Sequence, residues 1–266
     1  MTSQSPTAEP PTTITGRRRA RYGQVHITPT HVNSPAQWDD NPGIEWWNFD
    51  LTLSYEEHNA TPAPKPALIA RASLIRVDCS RCEEIAYELD QFSYDLCRIG
   101  SAIEESSDEL NELYDLDIGG GMNGTILIAE DVVVDKFWRG KRLGPSLVTF
   151  AAELLRADAT FLMPYGLHTR LDANGECYTD YWSPRPGADV QKKVRKAWSK
   201  EGFAEVCDGI YWTQNIPEGN RALDKRTTVA RDRFEKLTMQ VDDRRTKSWW
   251  WRRIARQQTS QGTEAT

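Results

Sequence analysis

Residues 125–157 read TILIAEDVVVDKFWRGKRLGPSLVTFAAELLRA, and the fold turns on how they are read. Thr125–Val134 is the strongest strand signal in the chain, a run of aliphatic and β-branched side chains. Leu147, Val148, Ala151, Leu154 and Leu155 recur on one helical face, which predicts a helix over 145–157. Pro145 would open it, where a missing N–H leaves no bond unmade. Between strand and helix lies Arg139-Gly140-Lys141-Arg142-Leu143-Gly144. A turn entering a helix N-terminus presents free backbone N–H groups and the positive end of the helix dipole. Gly140 and Gly144 permit close approach and unusual backbone angles, and Arg139, Lys141 and Arg142 add positive charge. The expected property is anion binding, and a pyrophosphate would fit. The loop is neither a Walker loop, lacking Gly-Lys-Ser/Thr, nor a dinucleotide fingerprint. An ordinary strand–helix connection with a basic surface fits the short pattern equally well.

Working outward, Tyr22–Thr28, Ile44–Leu53 and Ala67–Val77 read as strands, with a Pro-rich loop at 59–66. Residues 84–116 read as helical, in two acidic amphipathic stretches broken around Ser106–Ser107, and 117–124 as flexible punctuation. Downstream, Thr160–Met163 is a short buried strand and 165–188 a long loop. A helix runs from an Asp189 cap through Glu201 and stops at Gly202. Phe203–Val206 and Ile210–Thr213 flank Cys207-Asp208-Gly209, a hairpin turn. A charged helix is expected around 224–241, then a frayed tail carrying Trp249–Trp251. Residues 1–20 are expected to be disordered, 21–216 to form one domain, and 217–266 a charged helical and frayed extension.

Composition narrows the function. The net charge of −6 opposes broad nucleic-acid binding, which needs phosphate-neutralising cations. The basic cluster at Arg17, Arg18, Arg19 and Arg21 reads as a solvated strand edge. No apolar run reaches the roughly 20 residues of a membrane span, and the first residues lack the apolar core of a secretory signal. The expected location is the cytoplasm. Five cysteines fit reduced thiols better than a disulfide framework. Cys79 and Cys82 have metal-type spacing without a second pair nearby, so no metal is assigned.

The stretch VVVDKFWRGKRLGPSLVTFAAELL resembles the acyl-CoA pyrophosphate motif of the GNAT superfamily of N-acyltransferases, and RKAWSKEGFAEVCDGIYW is similar to the family's late helix, Gly-Phe junction and final strands. The resemblance covers roughly residues 110–215, with the acyl-CoA-binding half at about 110–216. It implies an α/β (α+β) fold: a central mixed, mostly antiparallel sheet flanked by helices. It also implies acetyl-CoA or another acyl-CoA as cosubstrate, an amine acceptor of unknown identity that attacks directly, and room for a homodimer. Residue by residue, Arg139 and Gly144 match the first and last loop positions. Gly140, Lys141 and Leu143 lie between, and Arg142 replaces a motif glycine. Val132, Val133 and Val134 would bind the pantetheine arm through their main chain. Trp198 stands where many members carry a proton-donating tyrosine, and an indole releases no proton near neutral pH. Trp198 also continues the stripe of Val190 and Val194, which reads as core.

No general base is diagnostic. Glu130 is the catalytic candidate, expected to share a strand face with Val132 and Val134; a solvated strand residue is the plainer reading. His168, Cys177, Tyr178 and Asp180 lie in the loop expected to border the cleft. A non-catalytic module binding acyl-CoA or a protein partner is the alternative, supported by Arg142 and Trp198.

Overall fold

The apolar runs before Val134 form long antiparallel strands, and those after Ala159 form short ones. A computed structural model describes residues 22–32, 42–56, 66–82, 84–105, 124–136, 138–164, 169–171, 177–179, 187–215 and 221–240. In chain order these give β1 (Tyr22–Val32), β2 (Ile44–Glu56), β3 (Ala67–Asp78), α1 (Ile85–Asp90), α2 (Tyr94–Glu105), β4 (Thr125–Val134) and α3 (Leu143–Leu154). There follow β5 (Ala159–Leu162), β6 (Thr169–Leu171), β7 (Cys177–Thr179), α4 (Ala188–Ser199), β8 (Ala204–Cys207), β9 (Ile210–Gln214) and α5 (Arg221–Gln240). The basic cluster at 17–21, the Trp249–Trp251 tail, His168 and Asp180 lie outside the described residues.

The sheet is seven-stranded, in the order β1-β2-β3-β4-β5-β9-β8. β1 to β4 form an antiparallel meander, β4 and β5 are parallel, and β5-β9-β8 returns to antiparallel pairing. The parallel pair needs a crossover, and α3 provides it. The β8–β9 hairpin turns through Asp208 and Gly209, both at positive φ, the signature of a twist-matched two-residue turn. The expected mixed, mostly antiparallel sheet flanked by helices is what forms.

Each face of the sheet carries its own core. On one side Phe49, Leu51, Ala72, Leu74 and Leu127 pack against Leu147, Val148 and Ala151 of α3 and Ala230, Phe234 and Leu237 of α5. On the other, Ile75, Val77, Ile126, Ile128 and Phe161 pack against Ile85, Leu89, Leu96, Ile99 and Ile103 of α1 and α2. Burial of this order removes each large aliphatic side chain from water at about 1.5–3 kcal/mol apiece. The charged residues beyond Pro217 therefore include a helix that completes the first core.

Several boundaries differ from expectation. The helix α3 begins at Leu143, so Pro145 is its third residue; a proline is tolerated there too, because that N–H would have no intrahelical partner. A two-stranded sheet, β6 with β7, occupies part of the expected loop 165–188. Gly187, not Asp189, precedes α4, and Asp189 lies in its first turn, favourable toward the dipole. The early helical region is interrupted at 91–93, between α1 and α2, while Ser106–Ser107 and the stretch to 116 lie outside the described residues.

Candidate anion-binding site

The centre of the sheet is irregular at one point. Ser73 pairs with Asp131 and Leu74 with Ala129, so Glu130 is an extra residue, a β-bulge in β4. A bulge resets the alternation of side chains. Leu127 and Ala129 before it, and Val132 and Val134 after it, all pack on the α3 face. Glu130 therefore does not share a face with Val132 and Val134, which corrects the reading from simple alternation.

The parallel pairing with β5 also stops here. It runs from Ile126/Ala159 to Ala129/Leu162, and among the described residues no strand pairs with β4 on that side beyond Ala129. The ladder with β5 ends there and β6 comes close to β4 without pairing with it, while β3 stays bonded to β4 as far as Val134. The Asp135 amide donates to the Ile69 carbonyl at 2.8 Å. Antiparallel geometry then bonds Val133 to β3 and turns the N–H and C=O groups of Val132 and Val134 away from β3. The Val134 carbonyl accepts from Arg139 Nε at 3.0 Å, which sets the Arg139 guanidinium on that side of β4.

The loop beyond β4 is shaped by backbone angles. Gly140 has φ 81° and Arg142 φ 58°, with Lys141 between them on the negative side. Alternation of this kind is one way in which the successive N–H groups of a loop come to face one point, as they do in anion-binding loops. The loop runs directly into α3, whose N-terminus has no side-chain cap. Arg142 is the last residue before the helix, and its left-handed conformation shows why a glycine would suit that position. Gly144 works differently: a Cβ there would stand 2.9 Å from Val132 Cγ1 and 3.5 Å from Val134 Cγ2. Its lack of a side chain seats α3 on the end of β4. At Gly140 a Cβ would meet nothing within 4 Å, so the positive φ is the constraint. Arg139 and Lys141 are exposed, and Lys141 Nζ lies 4.9 Å from the ring centroid of buried Trp138.

The Arg142 side chain turns to the end of α4. Its Nη1 reaches Glu201 Oε1 at 3.3 Å, and Arg233 Nη2 of α5 reaches the same oxygen at 2.8 Å. Glu201 is only 3% exposed, so its charge depends on these two guanidinium groups. Arg233 Nη1 also donates to Ser146 Oγ, at 2.7 Å, in the first turn of α3. Arg226, half-buried, donates to the Glu201 carbonyl, Thr213 Oγ1, the Gln214 carbonyl and Asn215 Oδ1. The last helix is thus fastened to the loop that begins α3. Sequence reasoning named Arg142 but missed Glu201 and Arg233; the repetition of Ala230, Phe234 and Leu237 at helical spacing was the available signal that α5 packs inward.

Glu130 reaches solvent but stands among closely packed neighbours. That desolvation, and then the Asp131 charge, raise its carboxyl to about 7. A carboxylate poised near neutrality can accept a proton from an ammonium group. Trp198 is buried in the α3-side core, its ring edge-on to Phe203 at 5.0 Å, as its stripe predicted, while Val190 is exposed. Cys79 and Cys82 are buried free thiols, and desolvation pushes them up to about 12 and about 11, so they stay protonated. No group of three metal-ligating side chains occurs among the described residues. Cys177 falls in β7. No helix among the described residues is long and apolar enough to cross a membrane.

No protein-family model, curated protein or solved structure matches this chain.

Proposed function

We propose that this protein binds acetyl-CoA or another acyl-CoA and transfers the acyl group to an amine, as a divergent GNAT-type N-acyltransferase. One observation carries the reading. The ladder between parallel strands β4 and β5 ends just ahead of a loop with positive φ at Gly140 and Arg142 that leads into an uncapped helix N-terminus. In this reading the pyrophosphate sits on the amides of 140–144, with Arg139 and Lys141 beside it. The pantetheine arm runs along β4 against the main chain of Val132 and Val134. The placing of α3 between β4 and β5, and of the β8–β9 hairpin beyond β5, supports the same assignment.

The chemistry is direct attack. An ammonium acceptor gives one proton to Glu130, and its nitrogen forms a bond to the thioester carbonyl carbon. The C–S bond breaks and the electron pair leaves with sulfur. The second nitrogen proton goes to the thiolate through water, giving an amide and free CoA. A backbone N–H of β4 that faces away from β3 polarises the carbonyl as charge builds on its oxygen. Trp198 takes no part, because it is packed in the core.

That same burial favours a second reading, a module that binds acyl-CoA without turnover, since no acid replaces the usual tyrosine at this position. Calorimetric titration of acetyl-CoA, followed by thiol release with amine acceptors, separates the two. Binding with release supports the enzyme, and binding without release of CoA by any amine supports the module. No binding of acetyl-CoA or longer acyl-CoAs rejects both.

A further inference from the structure

The charged side chains of the helices are segregated by face of the sheet. α4 packs on the α3 side through Trp198 and Val194. It turns Lys192, Lys193, Arg195, Lys196 and, at its cap, Lys200 to solvent, with Asp189 the one exposed acid beside them. Among the described residues none of these five cations makes an ion pair. α1 and α2 pack on the opposite face of the sheet. Glu84, Asp90, Asp95, Glu104 and Glu105 are exposed there, and half-buried Arg98 is the only cation between residues 84 and 105.

Helices that face only water tend to interleave the two signs, as α5 does with Lys225, Arg231, Asp232, Glu235 and Lys236. α4 and the α1–α2 pair do not. Exposed apolar surface follows the same division. Tyr87, 65% exposed, and Tyr94, 75% exposed, stand beside the acids of α1 and α2, and Val190, 40% exposed, stands at the start of α4. Aromatic rings set among carboxylates suit a lysine or arginine, whose stem lies along the ring while its head meets the acid. α2 and α4 are also matched in length, with 12 residues each, or about 18 Å.

We propose that these two surfaces are the halves of one contact: the basic α4 of one copy docks on the acidic α1–α2 surface of a second copy of this chain. A separate polyanion would satisfy α4 and leave the acids of α1 and α2 as they are, whereas a second copy matches both with nothing added. Because the halves lie on opposite faces of the sheet, two copies cannot make both contacts at once. Association therefore runs head to tail and passes beyond a dimer, to a ring or a chain. Two helix surfaces of this length make a small, polar interface, and exposed ion pairs are individually weak and screened by salt. The contact is reversible and salt-sensitive on that account. Acyl transfer is not required for it, since neither surface includes the loop at 139–144 or Glu130.

Sedimentation velocity of the full chain, over a concentration series at about 20 mM and about 500 mM salt, is the test. Wild type should grow beyond a dimer at low salt and run as a monomer at high salt. The triple variant Lys192→Glu, Lys193→Glu, Lys196→Glu makes both surfaces acidic, and Glu84→Lys, Asp95→Lys, Glu105→Lys makes both basic. Each alone should stay monomeric at low salt. Mixed in equal amounts, the two variants match every intact surface with an intact one and every reversed surface with a reversed one, and association should return. Thermal melting checks that each is folded. Where a reversal does not fold, the variant with Gln for each of its Lys or Glu, and Asn for Asp95, takes its place and should need about tenfold more protein than wild type to associate. A wild type that stays monomeric at low salt, growth that neither reversal nor neutralisation weakens, or a mixture of folded reversals that stays monomeric overturns the proposal.

Discussion

Glu201 holds Arg142 by its guanidinium while the Arg142 backbone sits in the left-handed region, at φ 58°. The contact joins a buried carboxylate at the end of α4 to the residue that starts α3, and Arg233 of α5 closes it from the other side. Two substitutions should therefore behave oppositely. Arg142→Gly relieves a left-handed conformation worth about 1 kcal/mol and leaves Arg233 on the carboxylate, so stability should change by less than about 1 kcal/mol. Glu201→Gln leaves two guanidinium groups without their counter-charge and should lose about 2–4 kcal/mol. Urea melts measure both, and a larger loss in Arg142→Gly than in Glu201→Gln would refute this division of roles.

Arg139 and Lys141 are exposed at the loop, so reversing their charge should spare the fold and strike the ligand. Arg139→Glu or Lys141→Glu should weaken acetyl-CoA binding by about tenfold at low salt. The difference from wild type should shrink as ionic strength rises, because exposed charges are screened. Equal affinity of all three proteins across the salt series would place the pyrophosphate elsewhere.

Gly144 and Val132 are coupled by space. A Cβ at 144 would lie 2.9 Å from Val132 Cγ1, so Gly144→Ala should cost about 1–3 kcal/mol by overpacking. Val132→Ala removes the atom in the way. The double variant should be more stable than the sum of the single losses allows, a coupling of about 1 kcal/mol in a double-mutant cycle. Additive losses would mean that the helix is not seated on this strand as described.

Glu130 supplies a pH dependence with a definite sign. Desolvation by its packed neighbours, then Asp131, raise its carboxyl to about 7 from an ordinary 4.5. In transfer, kcat should climb as pH rises through about 7 and the carboxylate becomes able to take a proton, and Glu130→Gln should flatten that limb. In stability the sign reverses. The folded chain keeps the proton that the unfolded chain releases near 4.5, so this contribution is full below that pH and is lost as pH rises through about 7. Because the side chain also reaches solvent, screening keeps the effect small. Thermal melts at pH 8 should place Glu130→Gln about 1–3 °C above wild type.

The strand at 125–134 and the helix after it were legible because each shows one strong period, and the loop between them was legible from its glycines and cations. The bulge at Glu130 was not, because Leu127, Ala129, Val132 and Val134 are apolar on either side of it and hide the change of face. The only trace is two charged residues, Glu130 and Asp131, in the middle of an apolar strand. The left-handed angle at Arg142 was hidden for a different reason. An arginine gives no sign that its backbone is unusual, and the partner that fixes its side chain lies 59 positions away. Trp198 could be assigned to the core beforehand, since the stripe it continues is local.

The Arg233 bond to Ser146 spans 87 positions of chain. On a ribosome adding residues one by one, the loop at 139–144 emerges long before the helix that fastens it. Until α5 has been made and has docked, Glu201 lacks one of its two cations and the start of α3 lacks its brace. The brace on this loop is thus acquired late in synthesis, and a chain cut short before residue 221 would carry every residue of the loop without its finished shape.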